Sequence, residues 1–251
     1  MKRLLKRIRT FYNTIRIRIA EKTWNGVKYV YYPSGGGGKT LLICFSAFPP
    51  TNLRLYNNIR GFKNLPVDRL YINDIWGYRG SYYIMEKGLS YPFSNTCMLI
   101  ERILSQGKYE HVFTAGTSKG GTAAILFGLK YGAEGIFAGA CQYHIGDYLN
   151  VPEHHNILKA MLGNKFSLED GVHFLNDTLR NAVFENMNST STVHIVYSKR
   201  ENTYAYHLID LINDLHNANI RVVEHECFFE NHNDVGFHFI PYVRTFFNVN
   251  S

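Results

Sequence analysis

At 251 residues, 45% apolar and 19% charged, the chain is long enough for one α/β domain with a real core and too ordinary for a fibrous or disordered protein. The net charge of +7 is concentrated at one end. Residues 1–22 carry eight Lys/Arg and one acid while the remainder balances, which argues against a general nucleic-acid-binding surface. No stretch reaches transmembrane length, and no apolar segment with a cleavage site follows the basic start. Cys44, Cys97, Cys141 and Cys227 form no C-x-x-C pair, so buried free thiols and a reducing compartment are expected.

Residues 2–19 read as a basic amphipathic helix. Leu4, Leu5, Ile8, Phe11, Tyr12, Ile15 and Ile19 fall at helical spacing, and Lys/Arg occupy much of the rest. Such an arm suits an anionic membrane surface or polyanionic partner, or equally a helix packed on the domain with a solvated basic face. Residues 23–251 read as a single domain. Val27–Tyr32 is expected to be its first strand. Pro33–Thr40 resembles a phosphate-binding loop, but Pro33 stands where glycine is needed, and a β run follows instead of a helix, so a hairpin loop is expected.

Leu41–Phe45 is apolar throughout, as in a strand buried on both faces. Arg69–Asn73 is another strand, followed by the glycine-flanked Arg79, a candidate contact for phosphate or carboxylate. A helix over 94–106 leads to Val112–Thr114, then Gly116-Thr-Ser118-Lys119-Gly120, then an Ala/Leu-rich helix. This is the G-x-S-x-G elbow in its strand–turn–helix context, which exposes a serine hydroxyl at a helix N-terminus. Gly135–Ala140 is the next strand. Residues 141–190 are less regular, with a helix-start box at Ser167–Asp170 and helical spacing over Val172–Phe184, the region where a small helical cap is expected. Strand Thr192–Ser198, a helix near Tyr206–Asn217, strand Arg221–Phe228 and a helix around Phe237–Phe247 complete the chain.

A serine nucleophile needs a base, and the base needs an acid. In α/β-hydrolases the order is Ser, acid, His, with each partner on a loop after a late strand. Glu201 and His232 fit that order, Glu230 and Asp234 being alternative acids. The expected fold is therefore α/β-hydrolase-like, a mostly parallel sheet flanked by helices. Ala47 and Phe48, in the proline-stiffened loop after Leu41–Phe45, are candidate second oxyanion donors beside Lys119 N–H. No H-E-x-x-H or spaced Cys/His set suggests a metal.

The segments Phe45–Pro50, Gly80–Tyr83, Thr117–Gly121 with Gly128–Tyr131, Lys199–His207 and His232–Asp234, in that order, resemble the capsular polysaccharide O-acetyltransferases of the serogroup A meningococcus type. The resemblance runs from about residue 27 to the C-terminus. It implies transfer of acetyl from acetyl-CoA, a co-substrate and not a resident cofactor, to a sugar hydroxyl of the polymer. It also implies Ser118 as nucleophile, His232 as base and Glu201 as acid, where the family has Asp. Lys119, Arg79 and Arg200 become candidate contacts for CoA phosphates or an anionic polymer. The expected place is cytoplasmic, with residues 1–20 anchoring the protein at the inner face of the membrane near a capsule assembly complex. The competing readings are an esterase or polysaccharide deacetylase with the same triad, and a non-catalytic capsule-assembly scaffold.

Overall fold

The computed structural model describes residues 17–35, 38–49, 56–107 and 109–248. An eight-stranded sheet organises it. The strands are β1 (Lys22–Trp24), β2 (Val27–Tyr32), β3 (Thr40–Phe45), β4 (Asp68–Asn73), β5 (His111–Thr117), β6 (Gly135–Gly139), β7 (Thr192–Tyr197) and β8 (Arg221–Glu226). Their spatial order is β1-β2-β4-β3-β5-β6-β7-β8. The β1–β2 and β2–β4 pairings are antiparallel and every other pairing is parallel. This is the mostly parallel, α/β-hydrolase-like sheet expected from the elbow.

The apolar runs are explained by burial on both faces. On β3, Leu41, Ile43 and Phe45 join one core while Leu42 and Cys44 join the other. The larger core lies under α1 (Tyr91–Gln106), α2 (Lys119–Lys130), α5 (Leu168–Glu185) and α6 (Ile209–Asn217). The smaller lies under α7 (Val235–Phe246), where Phe239 and Val243 meet Phe137 and Phe62. Two short helices, α3 (Ile145–Leu149) and α4 (His155–Leu162), precede α5. The Ser167 hydroxyl caps α5 by accepting from Asp170 N–H at 3.1 Å, as the helix-start box predicts.

Three expectations change. The first strand is β1, not Val27–Tyr32. Asn25 and Gly26 both take positive φ (45° and 76°) in the two-residue turn joining β1 to β2, the signature of a tight hairpin. The loop after Tyr32 is not a hairpin, because β4 lies between β2 and β3 in the sheet. Cys227 is only half-buried, although all four cysteines are free and the other three are buried. Of the basic N-terminal helix, only residues 17–20 are described, and they are helical; the rest lies outside the described residues. Among the described residues no helix is long and apolar enough to cross a membrane.

Candidate active site

The parallel strands put the loops after β3, β4, β5, β6, β7 and β8 at one edge of the sheet, the edge where open α/β sheets bind ligands. Ser118 closes β5 with φ 53° and ψ −131°, a left-handed backbone that a non-glycine residue adopts only under constraint. The constraint is steric. A Cβ at Gly116 would lie 2.1 Å from Gly120 O, and a Cβ at Gly120 would lie 2.4 Å from Phe45 O. Only glycine at both positions lets helix α2 come this close to β3 and β5. Ser118 N–H donates to Gly139 O at 2.7 Å, which fixes the turn to β6.

The next residue corrects an expectation. Lys119 is not open to phosphates. Its side chain is 1% exposed and its Nζ lies 2.7 Å from Asp74 Oδ2, whose own side chain is fully buried. The rings of Tyr83 and Phe48 face the ammonium at 4.7 and 5.4 Å. Asp74 also accepts from Ser81 N–H and Oγ–H and from Tyr83 N–H. Burial pulls the Lys119 pKa down, opposed by Asp74. The pair ties the loop after β4 to the elbow from beneath.

The loop after β3 is partly committed. Ser46 N–H donates to Tyr83 Oη at 2.7 Å, and Ala47 N–H donates to Asn57 Oδ1 at 3.0 Å. Ala47 is therefore not a free oxyanion donor in this arrangement, because Asn57 occupies it. Phe48 N–H has no acceptor among the described residues, and Lys119 N–H belongs to the first turn of α2, where the helix itself supplies none.

Glu201 and His232 come together from the loops after β7 and β8. Glu201 Oε1 lies 3.2 Å from His232 Nδ1 and accepts from Thr203 Oγ1 at 2.8 Å. Thr203 Oγ1 is itself 3.4 Å from His232 Nδ1. Burial raises the Glu201 pKa, but hydrogen bonds from His232 and Thr203 outweigh it, and the carboxyl lies below its ordinary value. Glu230 is instead paired with Arg200 at 3.3 Å on the surface. Asp234 starts α7 and makes no ion pair with His232. His232 Nε2 is buried with no hydrogen-bond partner.

No hydrogen bond joins that Nε2 to Ser118 among the described residues. Ser118 Oγ instead meets Gln142, just beyond β6: Gln142 Nε2 donates to it at 3.1 Å, and Oγ lies 3.4 Å from Oε1. Such links are often long in unliganded enzymes and tighten on substrate. Sequence reading missed Gln142, Asp74 and Thr203. The available signal was positional, since Asp74 and Gln142 each lie within three residues of a parallel strand's C-terminal end.

Over the elbow, the segment 141–162 contributes aromatic cover. His154 stacks on Tyr148 at 4.7 Å and on Phe48 at 6.4 Å, and Phe48 meets Tyr82 edge-on at 5.4 Å. Arg79 is half-buried; its Nη2 donates to Pro49 O at 2.8 Å, while its Nε is buried without a partner. His154 Nδ1 is likewise buried and unpartnered. Burial and the nearby Arg79 charge pull the His154 pKa down. Arg200 lies at the rim, exposed, 4.0 Å from the Phe228 ring. A one-turn π-helix, Tyr204–Leu208, follows the Glu201 loop and buries His207, whose pKa drops to about 4 through burial and the neighbouring His144. Among the described residues no group of three His, Cys, Asp or Glu side chains is placed to hold a metal ion.

No family model and no curated protein sequence matches the chain. Solved structures do. The capsule O-acetyltransferase of Neisseria meningitidis serogroup A is 26% identical, covering 91% of this chain and 94% of its own, with a TM-score of 0.77. A histidine-to-alanine mutant of that protein in complex with CoA is 25% identical, covering 90% and 94%, with a TM-score of 0.76. The fluorophosphonate-binding serine hydrolase F of Staphylococcus aureus shares the fold at 16% identity, covering 88% and 91%, with a TM-score of 0.62. The chain is thus an α/β-hydrolase-like protein similar, over nine-tenths of its length, to the capsule O-acetyltransferase of serogroup A meningococcus.

Proposed function

We propose that this protein is an O-acetyltransferase that moves acetyl from acetyl-CoA to a sugar hydroxyl of a bacterial capsular polysaccharide through an acyl-enzyme on Ser118. The observation that carries the reading is His232, bound to Glu201 through Nδ1 and left with a buried, unpartnered Nε2. That is the arrangement of a base waiting for a proton. The low Glu201 pKa keeps the carboxylate charged, which fixes the imidazole tautomer and stabilises the imidazolium. The CoA bound by the similar meningococcal protein supports the donor.

In this mechanism Ser118 Oγ gives its proton to His232 Nε2 and bonds to the acetyl carbon. Lys119 N–H and Phe48 N–H hold the developing oxyanion at the helix N-terminus. The carbon–sulfur bond breaks, and His232 returns the proton to the CoA thiolate. The acceptor hydroxyl then gives its proton to His232 and takes the acetyl group, and the Ser118 Oγ–carbon bond breaks as Oγ is reprotonated. Arg79 Nε and the rim guanidinium of Arg200 are the cations left for CoA phosphates or an anionic polymer. The basic segment 1–20 would hold the enzyme at the anionic inner face of the membrane, beside a capsule assembly complex.

Intact-mass spectrometry after brief mixing with acetyl-CoA and no acceptor tests the donor and the nucleophile. One acetyl group added to wild type and none to Ser118→Ala is expected. Equal modification of both proteins, or neither an adduct nor CoA release, would sink the proposal.

A further inference from the structure

Gln142 has no part in the mechanism above, yet it touches the oxygen on which that mechanism turns. Its side chain is fully buried. Its backbone is clamped to α2, because Gln142 N–H donates to Thr122 Oγ1 at 3.1 Å and Thr122 Oγ1–H donates to Gln142 O at 2.7 Å. The Tyr82 hydroxyl donates to Gln142 Oε1 at 3.2 Å, in the orientation that leaves Nε2 the nearer end to the serine oxygen. Burial raises the Tyr82 phenol well above its ordinary value, so it keeps the proton it donates. Nε2 is thereby aimed at Ser118 Oγ, its one hydrogen-bond acceptor among the described residues.

We propose that the Gln142 side-chain amide is a catalytic hydrogen-bond donor to Ser118 Oγ, stabilising the alkoxide character of that oxygen as nucleophile and again as leaving group. The inference rests on the reading of Ser118 as nucleophile. A neutral hydroxyl gains little from one more donor. An oxygen losing its proton gains more, because hydrogen bonds to charged acceptors are roughly twice as strong as neutral ones. Since Tyr82 and Thr122 already hold the amide in place, no reorganisation is needed as charge develops. The hydroxyl proton, now 3.4 Å from Oε1 as heavy atoms are measured, turns about Cβ–Oγ toward His232 Nε2. That turn does not itself move Oγ, so the Nε2 contact persists. Gln142 thus serves both halves of the transfer, whereas the oxyanion donors act on the carbonyl oxygen.

The test is the rate of labelling by a fluorophosphonate, which reads the nucleophilicity of Ser118 without CoA or acceptor. Oγ bonds to phosphorus, fluoride leaves, and the Oγ proton passes to His232. Wild type, Gln142→Met and Gln142→Glu are compared across pH, with melting temperatures for each. Gln142→Met keeps the shape and removes the donor. Its labelling rate is expected to fall about 10- to 100-fold, the loss of one hydrogen bond to a charged oxygen. Gln142→Glu keeps the size and places an acid against Oγ. Its rate relative to wild type is expected to fall as pH rises and the new carboxyl ionises. That relative fall identifies an electronic role even if the Met variant fails to fold. Labelling of a folded Gln142→Met variant within about threefold of wild type would overturn the inference while leaving Ser118 as nucleophile. A Gln142→Glu variant that still labels as fast as wild type once its carboxyl has ionised would do the same. Wild-type protein that takes no label at Ser118 would remove the nucleophile reading itself.

Discussion

Lys119 and Arg200 occupy matching places in the sequence and opposite places in the molecule. Each adjoins a candidate catalytic residue, Lys119 following Ser118 and Arg200 preceding Glu201. Lys119 is sealed beneath the elbow against Asp74 with both side chains at most 1% exposed. Arg200 lies on the rim, where its side chain is 55% exposed and its partner Glu230 74%. A cation beside a candidate catalytic residue is therefore sealed inside or open to solvent according to the fold, which its sequence position does not reveal. The elbow keeps its cation because Asp74 pairs with it and the Phe48 and Tyr83 rings, from the loops after β3 and β4, lie against it. A lone ammonium there would be unaffordable.

The largest effect that separates the two is Asp74→Ala. It leaves the Lys119 ammonium buried and unpaired and the Ser81 and Tyr83 donors without their acceptor. A loss of about 3–5 kcal/mol is expected in denaturant unfolding. A loss as small as that of a rim pair would mean that Lys119 reaches solvent.

Buried titrating groups extend the contrast to pH. His207 and His194 each have a folded pKa of about 4, pulled down first by burial and then by a neighbouring charge, His144 for His207 and Arg221 for His194. An unfolded histidine binds its proton near pH 6.5. As pH falls from 6.5, the unfolded state takes up protons first, so stability is full above 6.5 and declines toward 4. Each residue contributes a loss of about 3 kcal/mol over that window. Glu201, whose folded pKa is depressed, adds a further loss as pH falls from the ordinary carboxylate range through its own pKa. Thermal melts between pH 7.5 and 4 should show the decline, and a flat profile would contradict neutral burial of these rings. The smallest effect expected is that of Glu230→Ala. It should cost less than about 1 kcal/mol and leave acylation by a small activated ester unchanged, because the rim pair is screened by water. A marked loss of Ser118 labelling in that variant would restore Glu230 as a candidate acid.

The elbow was legible because its determinants are local. Gly116 and Gly120 mark the close approach, a β-prone run precedes Ser118, and a small-residue helix follows it. The strands were legible for a similar reason, since burial on both faces leaves an unbroken apolar run such as Leu41–Phe45. The β1 hairpin was missed: Asn25-Gly26 carries its turn signal, but the stronger apolar run Val27–Tyr32 was read as the first strand. Chain order alone narrowed the candidate acid and base to the loops after β7 and β8.

The choice among Glu201, Glu230 and Asp234 was not legible, because all three are carboxylates within reach of those loops. The sheet sets β7 beside β8, so that Thr203 and Glu201 face His232 Nδ1 while Glu230 turns to Arg200. Asp74 and Gln142 were hidden for the same reason. They approach the elbow from 45 and 24 residues away in the chain, from the loops after β4 and β6. Sequence periodicity reports which faces are buried, because each residue carries its own hydrophobic free energy. Polar partnership between distant loops depends on strand order and register, which only the folded sheet supplies.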